Sequence, residues 1–478
     1  MPCPRRPAAP ALCLAALLVA GIARAQDEAA PETRQAVPGG ETNPTESPRL
    51  GLWQRANLLG DPGGVRTQLD RLGITLGLNE QAEVFGNATG GVRRGAIFEG
   101  LLTMSVGVDA EKAFGLPGGA FNASAYQIHG RGLSLNDLDN TLSTVSSIEA
   151  LRGTLLFELW YEQALLGKRL AIRVGQIAAG GEFMVSDYAG LFLNHTFGWS
   201  NYPSTNLPSG GPDYPLAALG ARVKYSPRDD LTVLLAVFNG DPAGPGRGFP
   251  QDRDPSGTAF RTGDGALVMG EVQYAVNGGE GDKGLPGTYK LGAWYNTSNF
   301  LDQRRNASGR SLADPTGLNP VIGRNRRGDW SFYGVADQLL WREPGTKDQG
   351  IAVFARAMGG PGDRNLVNFY LDAGATWKGA IPGRNADTAG IAVGFSRISD
   401  TASKLDSDIA FFTGQPYPIR RQETVLELSY QAQIAPWWQV QPDAQYVFNI
   451  NGGVPNPTNP GKRVGDAAVF GVRTNVTF

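Results

Sequence analysis

The stretch TVLELSYQAQIA, residues 424–435, alternates apolar and polar side chains with a period of two. Leu426, Leu428 and Tyr430 fall on one side of an extended chain, and Glu427 and Ser429 fall on the other. This is the pattern of a β-strand with one apolar and one polar face. The same alternation follows in WQVQPDAQYVFNI (438–450) and again in GDAAVFGVRTNVTF (465–478). The C-terminal part of the chain is therefore predicted to form a sheet.

Working outward from these strands, sixteen segments with this period are found between Ile74 and the C terminus, including a ninth at 287–299 and a tenth at 328–342. Most exceed the five or six residues usual for strands of soluble proteins, and they suit a tilted membrane crossing of about 9–11 residues. A soluble β-sandwich also alternates, so the period alone does not separate the two classes.

The connections separate them better, because short and long ones alternate along the chain. The short ones include 165–167 and 227–228, and the long ones include 131–150, 178–215 and 398–421. Short turns at one end, long loops at the other and an even strand count are typical of bacterial outer-membrane barrels. We therefore predict an all-β fold: a 16-stranded antiparallel transmembrane β-barrel of the porin type over 74–478, in the outer membrane of a Gram-negative bacterium, with both termini in the periplasm.

The N terminus carries an export signal. Residues 1–25 contain Arg5 and Arg6, an apolar run and the small-residue site Ala23-Arg24-Ala25, which predicts cleavage before Gln26. Both cysteines lie in this segment, which excludes disulfides and thiolate metal sites from the exported protein. Residues 26–48 are rich in Pro, Glu, Thr and Ala and are predicted to be a disordered linker.

Residues 49–73 are predicted to contain a short periplasmic helix. Asp61 is a cap with Pro62 at the first helical position, Val65, Leu69 and Leu72 share one face, and Gly73 ends the helix. A helix packed on a soluble core is the alternative. The formal net charge of −2 gives no reason to expect a nucleic-acid partner.

The longest aromatic connection, Ala178 to Pro215, is predicted to fold into the barrel. Sixteen strands at ~4.8 Å spacing and ~40° tilt enclose a lumen of roughly 30 Å, too wide for side chains to fill. A loop of this length is usually functional. We therefore expect this third loop to form the constriction, with Trp199 as a platform for a sugar ring and Asp187 and Asn194 as its polar partners. The alternative is that the loop aromatics only pin the loop to the wall.

The period of the neighbouring strands predicts which side chains point into the lumen. In the strand from Lys168, Leu170 and Ile172 face one way and Arg173 the other. The remaining residues predicted to line the eyelet on the same reasoning are Glu158, Trp160, Glu162, Arg222, Lys224 and Arg356. Paired charges bind vicinal hydroxyls and aromatic faces accept sugar rings, so this wall suits a neutral polyhydroxylated solute. Solvation of a water-filled lumen explains any one of these residues equally well.

Catalysis is not predicted. His129 and His195 lie far apart in the chain, without a metal-ligand or nucleophile motif, so no enzyme activity, metal or cofactor is expected. The chain is interpreted as a passive sugar channel, with carbohydrate as its solute. An anion or phosphate porin is the first alternative, weakened by Glu158 and Glu162, and a lipid hydrolase of the outer membrane is the second.

Two stretches carry a family resemblance: LWYEQALLGKRLAIRVGQIAAGGEFMVSDYAGLFLNHTFGW (159–199) and AALGARVKYSPRDDLTVLLAVFNGDP (217–242). The chain here resembles the carbohydrate-selective outer-membrane porins of the OprB family, and LWQRANLLGDPGGVRTQLDRLGITLGL (52–78) and 424–449 support the likeness. The resemblance implies a 16-stranded barrel whose inward loop and charged wall pass glucose and other sugars. Of the basic residues that line the eyelet in this family, only those that match Arg173 and Arg222 can be carried over to this sequence.

Three partners are considered besides the solute and the surrounding outer-membrane lipid: the barrel-assembly machinery, lipopolysaccharide and further copies of this chain. Phe478 is an aromatic C terminus of the kind that engages the barrel-assembly machinery. The basic clusters 304–305 and 324–327 could contact anionic lipopolysaccharide, although a solvated loop face is the simpler interpretation. Both a monomer and a homotrimer remain open.

Overall fold

A computed structural model describes residues 51–279, 284–316 and 322–478. The predicted signal (1–25) and linker (26–48) lie outside the described residues. Within the described part, sixteen antiparallel strands form a closed barrel in which the first strand pairs with the last. The strands are β1 (Ile74–Gly91), β2 (Ala96–Asp109), β3 (Gly119–Gly130), β4 (Gly153–Leu165), β5 (Leu170–Ile177), β6 (Ala218–Arg228), β7 (Leu231–Asn239), β8 (Ala266–Val276), β9 (Gly287–Asn306), β10 (Gly323–Arg342), β11 (Gly350–Gly359), β12 (Val367–Lys378), β13 (Thr388–Ile398), β14 (Gln422–Ala435), β15 (Trp438–Phe448) and β16 (Gly465–Thr477).

The outer surface of the barrel is apolar, and its inner surface is polar. On β14, Leu426 and Leu428 are exposed whereas Glu427 and Ser429 are buried, as the period-two pattern predicts. Exposed aromatic side chains ring the barrel near the short turns (Tyr225, Tyr274, Tyr289, Trp341, Trp377) and near the long loops (Phe98, Tyr295, Trp330, Phe448, Phe470). An apolar band between two aromatic girdles is the exterior of a transmembrane barrel. The predicted fold class is confirmed.

The helices all lie in the connections between strands or before the barrel. They are α1 (Val65–Arg71), α2 (Ala110–Phe114), α3 (Asn201–Asn206), α4 (Pro250–Arg253) and α5 (Asp400–Thr413). Among the residues described, none of the helices has the length and apolarity needed to cross a bilayer.

The N-terminal helix begins later than the sequence predicts. Asp61 does act as a cap, because its carboxylate accepts a hydrogen bond from Arg66 N at 2.7 Å. However, Gly63 and Gly64 have φ angles of 66° and 72°, which an α-helix does not contain. Pro62–Gly64 is therefore a separate turn, and α1 starts at Val65.

Strands β9 and β10 extend well beyond the predicted segments 287–299 and 328–342. The extension carries the basic clusters that the sequence placed in a loop. Asp302 on β9 accepts from Arg324 at 2.8 Å and from Arg326 at 2.9 Å on β10, and Arg304 pairs with Asp408 of α5 at 2.7 Å. Ion pairing across the two strands lets residues of high charge continue a sheet past the barrel rim.

Two loops fold into the barrel, where the sequence predicted one. Loop 3 (residues 178–217) follows β5 and enters the lumen as expected. Loop 2 (residues 131–152) follows β3 and also turns inward, burying Leu133, Leu138 and Val145 in the cluster that contains Phe192 and Phe197 of loop 3. The lumen is thus narrowed by two loops packed against each other.

The apolar exterior yields a stability prediction. Leu235 lies at the middle of β7 and is 56% exposed on the outer surface. We expect Leu235→Arg to lower the free energy of unfolding by about 2–4 kcal/mol, because a cation at this depth must leave water for hydrocarbon. The measurement is urea-induced unfolding in phospholipid vesicles. Leu116→Arg, at an exposed site in the short β2–β3 connection, is the control, and an equal loss in both variants would contradict the membrane-spanning interpretation.

Candidate pore constriction

Loop 3 is held in place by carboxylates of the barrel wall that bind its backbone. Glu271 on β8 accepts from Met184 N at 2.8 Å. Asp337 on β10 accepts from Asp187 N at 3.0 Å, and Glu427 on β14 accepts from Asn194 N at 3.0 Å. These acidic groups satisfy N–H groups that would otherwise be desolvated inside the barrel. They fix the course of the loop at three points around the wall.

A single buried arginine binds the carbonyl groups of the same loop. Arg356 on β11 is 1% exposed and donates to Thr196 O at 2.9 Å and to Gly198 O at 2.8 Å. Its charge is balanced by Asp372 on β12, with Nε to Oδ2 at 3.0 Å. Arg356 therefore supports the loop and does not present its guanidinium freely to the lumen.

Four charged residues meet where loop 3 leaves β5, and we call them the charge cluster: Glu162, Arg173, Glu182 and Arg222. Arg173 is 2.9 Å from Glu162 and 2.6 Å from Glu182. Arg222 is 2.9 Å from Glu162 and also pairs with Glu182. Each guanidinium thus contacts both carboxylates, so the charge cluster is neutral as a unit. The guanidinium of Arg173 also lies 3.8 Å from the ring centre of Trp160, a cation–π contact.

Beside the charge cluster lies a cavity of about 440 Å³ between loop 3 and the wall. Its polar lining includes Glu182, Asp187, Lys224, Gln273 and Lys290, and glycines of loop 3 also line it. Asp187 is exposed, Glu182 and Lys224 are half-buried, and Lys290 is buried with its Nζ donating to Val185 O at 2.8 Å. Acceptors and donors therefore line the same space, which is large enough for a small polar solute.

The residues predicted for the eyelet fall into three groups. Trp160, Glu162, Arg173 and Arg222 come together in and around the charge cluster, and Asp187, Lys224 and Arg356 line the cavity. The other three support the loop. Glu158 accepts from Ala178 N at 2.9 Å, Asn194 donates to Gln445 at 2.9 Å, and Trp199 donates from Nε1 to Gly210 O at 2.8 Å.

Trp199 is placed differently from the predicted platform. Its side chain is 5% exposed and packs in the main buried cluster with Phe183, Tyr202 and Leu207. In this structure the indole face is covered by the loop itself. Direct contact with a solute stays a prediction, whereas the contact with Gly210 gives Trp199 a clear part in shaping the loop.

Sequence reasoning missed Glu182 and loop 2. Glu182 follows Gly180-Gly181 at the start of loop 3. An acidic side chain at this position, next to the strands that carry Arg173 and Arg222, was the signal in the sequence for an ion pair. Loop 2 binds loop 3 directly: Ser147 N donates to Leu193 O at 2.8 Å, and Asn201 donates to Ser143 Oγ at 2.6 Å. The long connection 131–152 mixes polar and apolar residues without a pattern that predicts these contacts.

The two histidines are separate, as expected from their positions in the chain. His195 lies in loop 3, where burial and the nearby Arg356 charge lower its pKa to about 4, so it is neutral near pH 7. His129 lies on the outer face of β3, with Nε2 3.3 Å from Glu80 and its ring against Phe98.

Comparison with known proteins agrees with this architecture. The family model described as "Carbohydrate-selective porin, OprB family" matches residues 93–478. Porin B of Pseudomonas aeruginosa is 25% identical over 437 residues, covering 88% of this chain and 91% of that protein.

Among solved structures, OprB of Pseudomonas putida at high pH aligns with a TM-score of 0.77 and 24% identity, over 89% of this chain and all but 1% of the other. The low-pH structure of the same protein aligns over the same share of this chain with a TM-score of 0.54 and 19% identity. The chain belongs to the OprB family of carbohydrate-selective porins. It is an outer-membrane channel for sugars, in agreement with the sequence-based interpretation.

The position of Arg356 yields a prediction about the loop. We expect Arg356→Leu to lower the free energy of unfolding by about 3–5 kcal/mol, because Asp372 is left buried without its partner. We also expect a larger single-channel conductance, because Gly198 O loses its donor, Thr196 O keeps only the Tyr370 hydroxyl at 2.9 Å, and loop 3 is held less firmly to the wall. Arg397→Leu, which breaks a surface pair with Asp400, is the control. Unchanged conductance in Arg356→Leu would show that the loop is held without this contact.

Proposed function

We propose that this member of the OprB family selects neutral sugars at the charge cluster and the adjoining cavity. Since the two guanidiniums are matched by two carboxylates, the constriction offers hydrogen bonds to hydroxyl groups without attracting ions of either sign. A neutral polyhydroxylated solute can accept from Lys224 and donate to Glu182 and Asp187 as it passes. The observation that supports the proposal is the balanced pairing of Arg173 and Arg222 with Glu162 and Glu182.

We also propose a division of labour within the predicted eyelet. The exposed or half-buried groups Glu182, Asp187, Lys224 and Gln273 contact the solute. The buried Arg222 and Lys290, together with Arg173, whose side chain is as little exposed as that of Glu182, position these contacts, while Glu158, Asn194 and Arg356 hold the loop. Binding by a few exposed hydrogen-bonding groups is weak enough to permit release, so flux is saturable and requires no energy input.

The orientation of the barrel is part of the proposal. The long loops face the cell exterior and the short turns the periplasm, with both termini periplasmic, as the loop asymmetry of outer-membrane barrels suggests. Four further expectations belong to this proposal. They are cleavage after residue 25, a linker at 26–48, recognition of Phe478 during assembly, and contact of the β9–β10 extension with lipopolysaccharide.

Liposome swelling tests the proposed selectivity. Glucose should enter faster than amino acids of equal size and faster than phosphate, because only glucose is both neutral and rich in vicinal hydroxyls. Rates that depend on size alone would overturn selectivity, and strong anion preference in planar bilayers would favour the anion-porin alternative.

The charge cluster gives a sharper prediction. Glu182→Gln leaves two guanidiniums facing Glu162 alone, and an uncompensated charge at this range is worth on the order of 1–2 kcal/mol. We expect the rate of gluconate relative to glucose to rise about tenfold and the zero-current potential in a KCl gradient to shift toward anion preference. Glu111→Gln, on the exposed surface of α2, should change neither measurement. No shift in Glu182→Gln would remove the charge cluster from the solute path.

A pair of substitutions separates the two roles of Trp199. If the indole only shapes the loop, Trp199→Ala lowers the free energy of unfolding by about 3–5 kcal/mol and raises conductance, while Trp199→Phe retains most of both properties. If the indole reaches the solute, both variants lose saturation of sugar flux at unchanged conductance. Single-channel recordings and glucose swelling curves on both variants distinguish these outcomes.

A further inference from the structure

The segment between the linker and the barrel, residues 51–72, is fastened across the junction of β1 and β16, and we call it the N-terminal clasp. Leu58 N donates to Thr477 O at 2.8 Å. Arg66 donates to Phe478 O at 2.5 Å and to Leu76 O at 3.4 Å. The clasp is therefore bound to the last residues of the final strand and to the beginning of the first.

A second attachment joins the clasp to the neighbouring β14–β15 turn. Trp437 Nε1 donates to Leu52 O at 2.9 Å. The ring of Trp53 stacks on Trp437 with centroids 6.1 Å apart, and Trp437 stacks on Trp438 at 5.9 Å. Trp438 shares a face of β15 with the exposed Tyr446 and Phe448. The row of indoles thus leads from the clasp to the apolar exterior of the barrel.

Five apolar side chains of the clasp are largely exposed, although Trp53 also stacks on Trp437. Their exposed fractions are 41% for Leu52, 60% for Trp53, 53% for Leu59, 50% for Val65 and 56% for Leu72. A helix that packed on a protein core would bury these residues. Here the backbone of the clasp is tied to the barrel, Leu58 and Leu69 are partly buried, and these five side chains remain largely uncovered.

These apolar side chains continue the exterior band of the barrel. Arg66 of α1 bonds to the backbone of Leu76, whose side chain is itself 42% exposed on the outer face of β1. Tryptophan beside apolar residues and arginine, held at the end of a lipid-facing band, is the composition of an interfacial segment. The surface that meets lipid therefore extends onto the clasp.

We propose that the N-terminal clasp is an interfacial anchor whose apolar face enters the headgroup boundary of a phospholipid leaflet. Val65 and Leu72 on α1, together with Leu59 and Trp53, lie toward the lipid. Arg71, which is exposed and lies about 100° from Leu72 around the helix axis, lies toward water. If the barrel has the orientation proposed above, this leaflet is the periplasmic one; insertion itself does not depend on that orientation or on sugar selectivity.

Site-directed spin labelling of the full mature chain in phosphatidylcholine and phosphatidylglycerol vesicles tests this proposal. Both native cysteines lie within the predicted signal, so single-cysteine variants need no further substitution. Leu59→Cys, Val65→Cys and Leu72→Cys place labels on the apolar face, and Arg71→Cys is the matched control on the same helix. The readout is the accessibility of each label to oxygen, which concentrates in lipid, and to a water-soluble nickel chelate.

We expect the three labels on the apolar face to favour oxygen over the nickel chelate and the label at position 71 to show the reverse. Equal exposure of all four labels to the nickel chelate would overturn the proposal. Protection in native outer membranes but not in lipid vesicles would also overturn it, since a protein partner would then cover this face. Glucose swelling of the same vesicles reports the channel separately, so that failure of one proposal is not mistaken for failure of the other.

Discussion

The structure depends on one constraint: a polypeptide folded into the lumen of a barrel must have its backbone N–H and C=O groups satisfied. Loop 3 meets this requirement through the wall, with Glu271, Asp337 and Glu427 under N–H groups and Arg356 under carbonyl groups. Negative side chains bind the N–H groups of the loop and a positive side chain binds its carbonyl groups. The reason is that ionised carboxylates only accept hydrogen bonds and guanidiniums only donate them. Many charged side chains of the barrel wall therefore serve to hold loop 3 in its course through the lumen.

This requirement also explains why so few charged side chains are left to meet a solute. Arg356 is bonded to a carboxylate and to loop carbonyls, and Arg222 is paired with two carboxylates, while Asp187, Lys224 and Gln273 are among the polar groups that line the cavity. Many residues that the sequence places in the lumen are charged, but the surface of the constriction is nearly neutral and carries few polar groups. Hydroxyl-bearing solutes match such a surface better than ions do.

Sequence reasoning reached the barrel and the inward faces, because a period of two and alternating connection lengths are local properties of the chain. It predicted that Glu162, Arg173 and Arg222 point into the lumen, and these three residues form part of the charge cluster. It did not distinguish side chains that hold the loop from those left accessible, because that distinction depends on which loop atoms lie opposite, as with Arg356 and Trp199. It also placed the start of α1 too early, since the left-handed conformation of Gly63 and Gly64 competes with a favourable cap and proline.

The direct bonding of loop 2 to loop 3 couples two segments that are separated by a whole hairpin. Ser143 and Ser147 of loop 2 meet Asn201 and Leu193 of loop 3. An insertion or deletion in one loop must consequently be matched by a change in the other if the two loops are to stay packed against each other in the lumen. The size of the aperture therefore depends on both loops. A channel of this design would change its size limit through paired insertions or deletions in loops 2 and 3, with the strands unchanged.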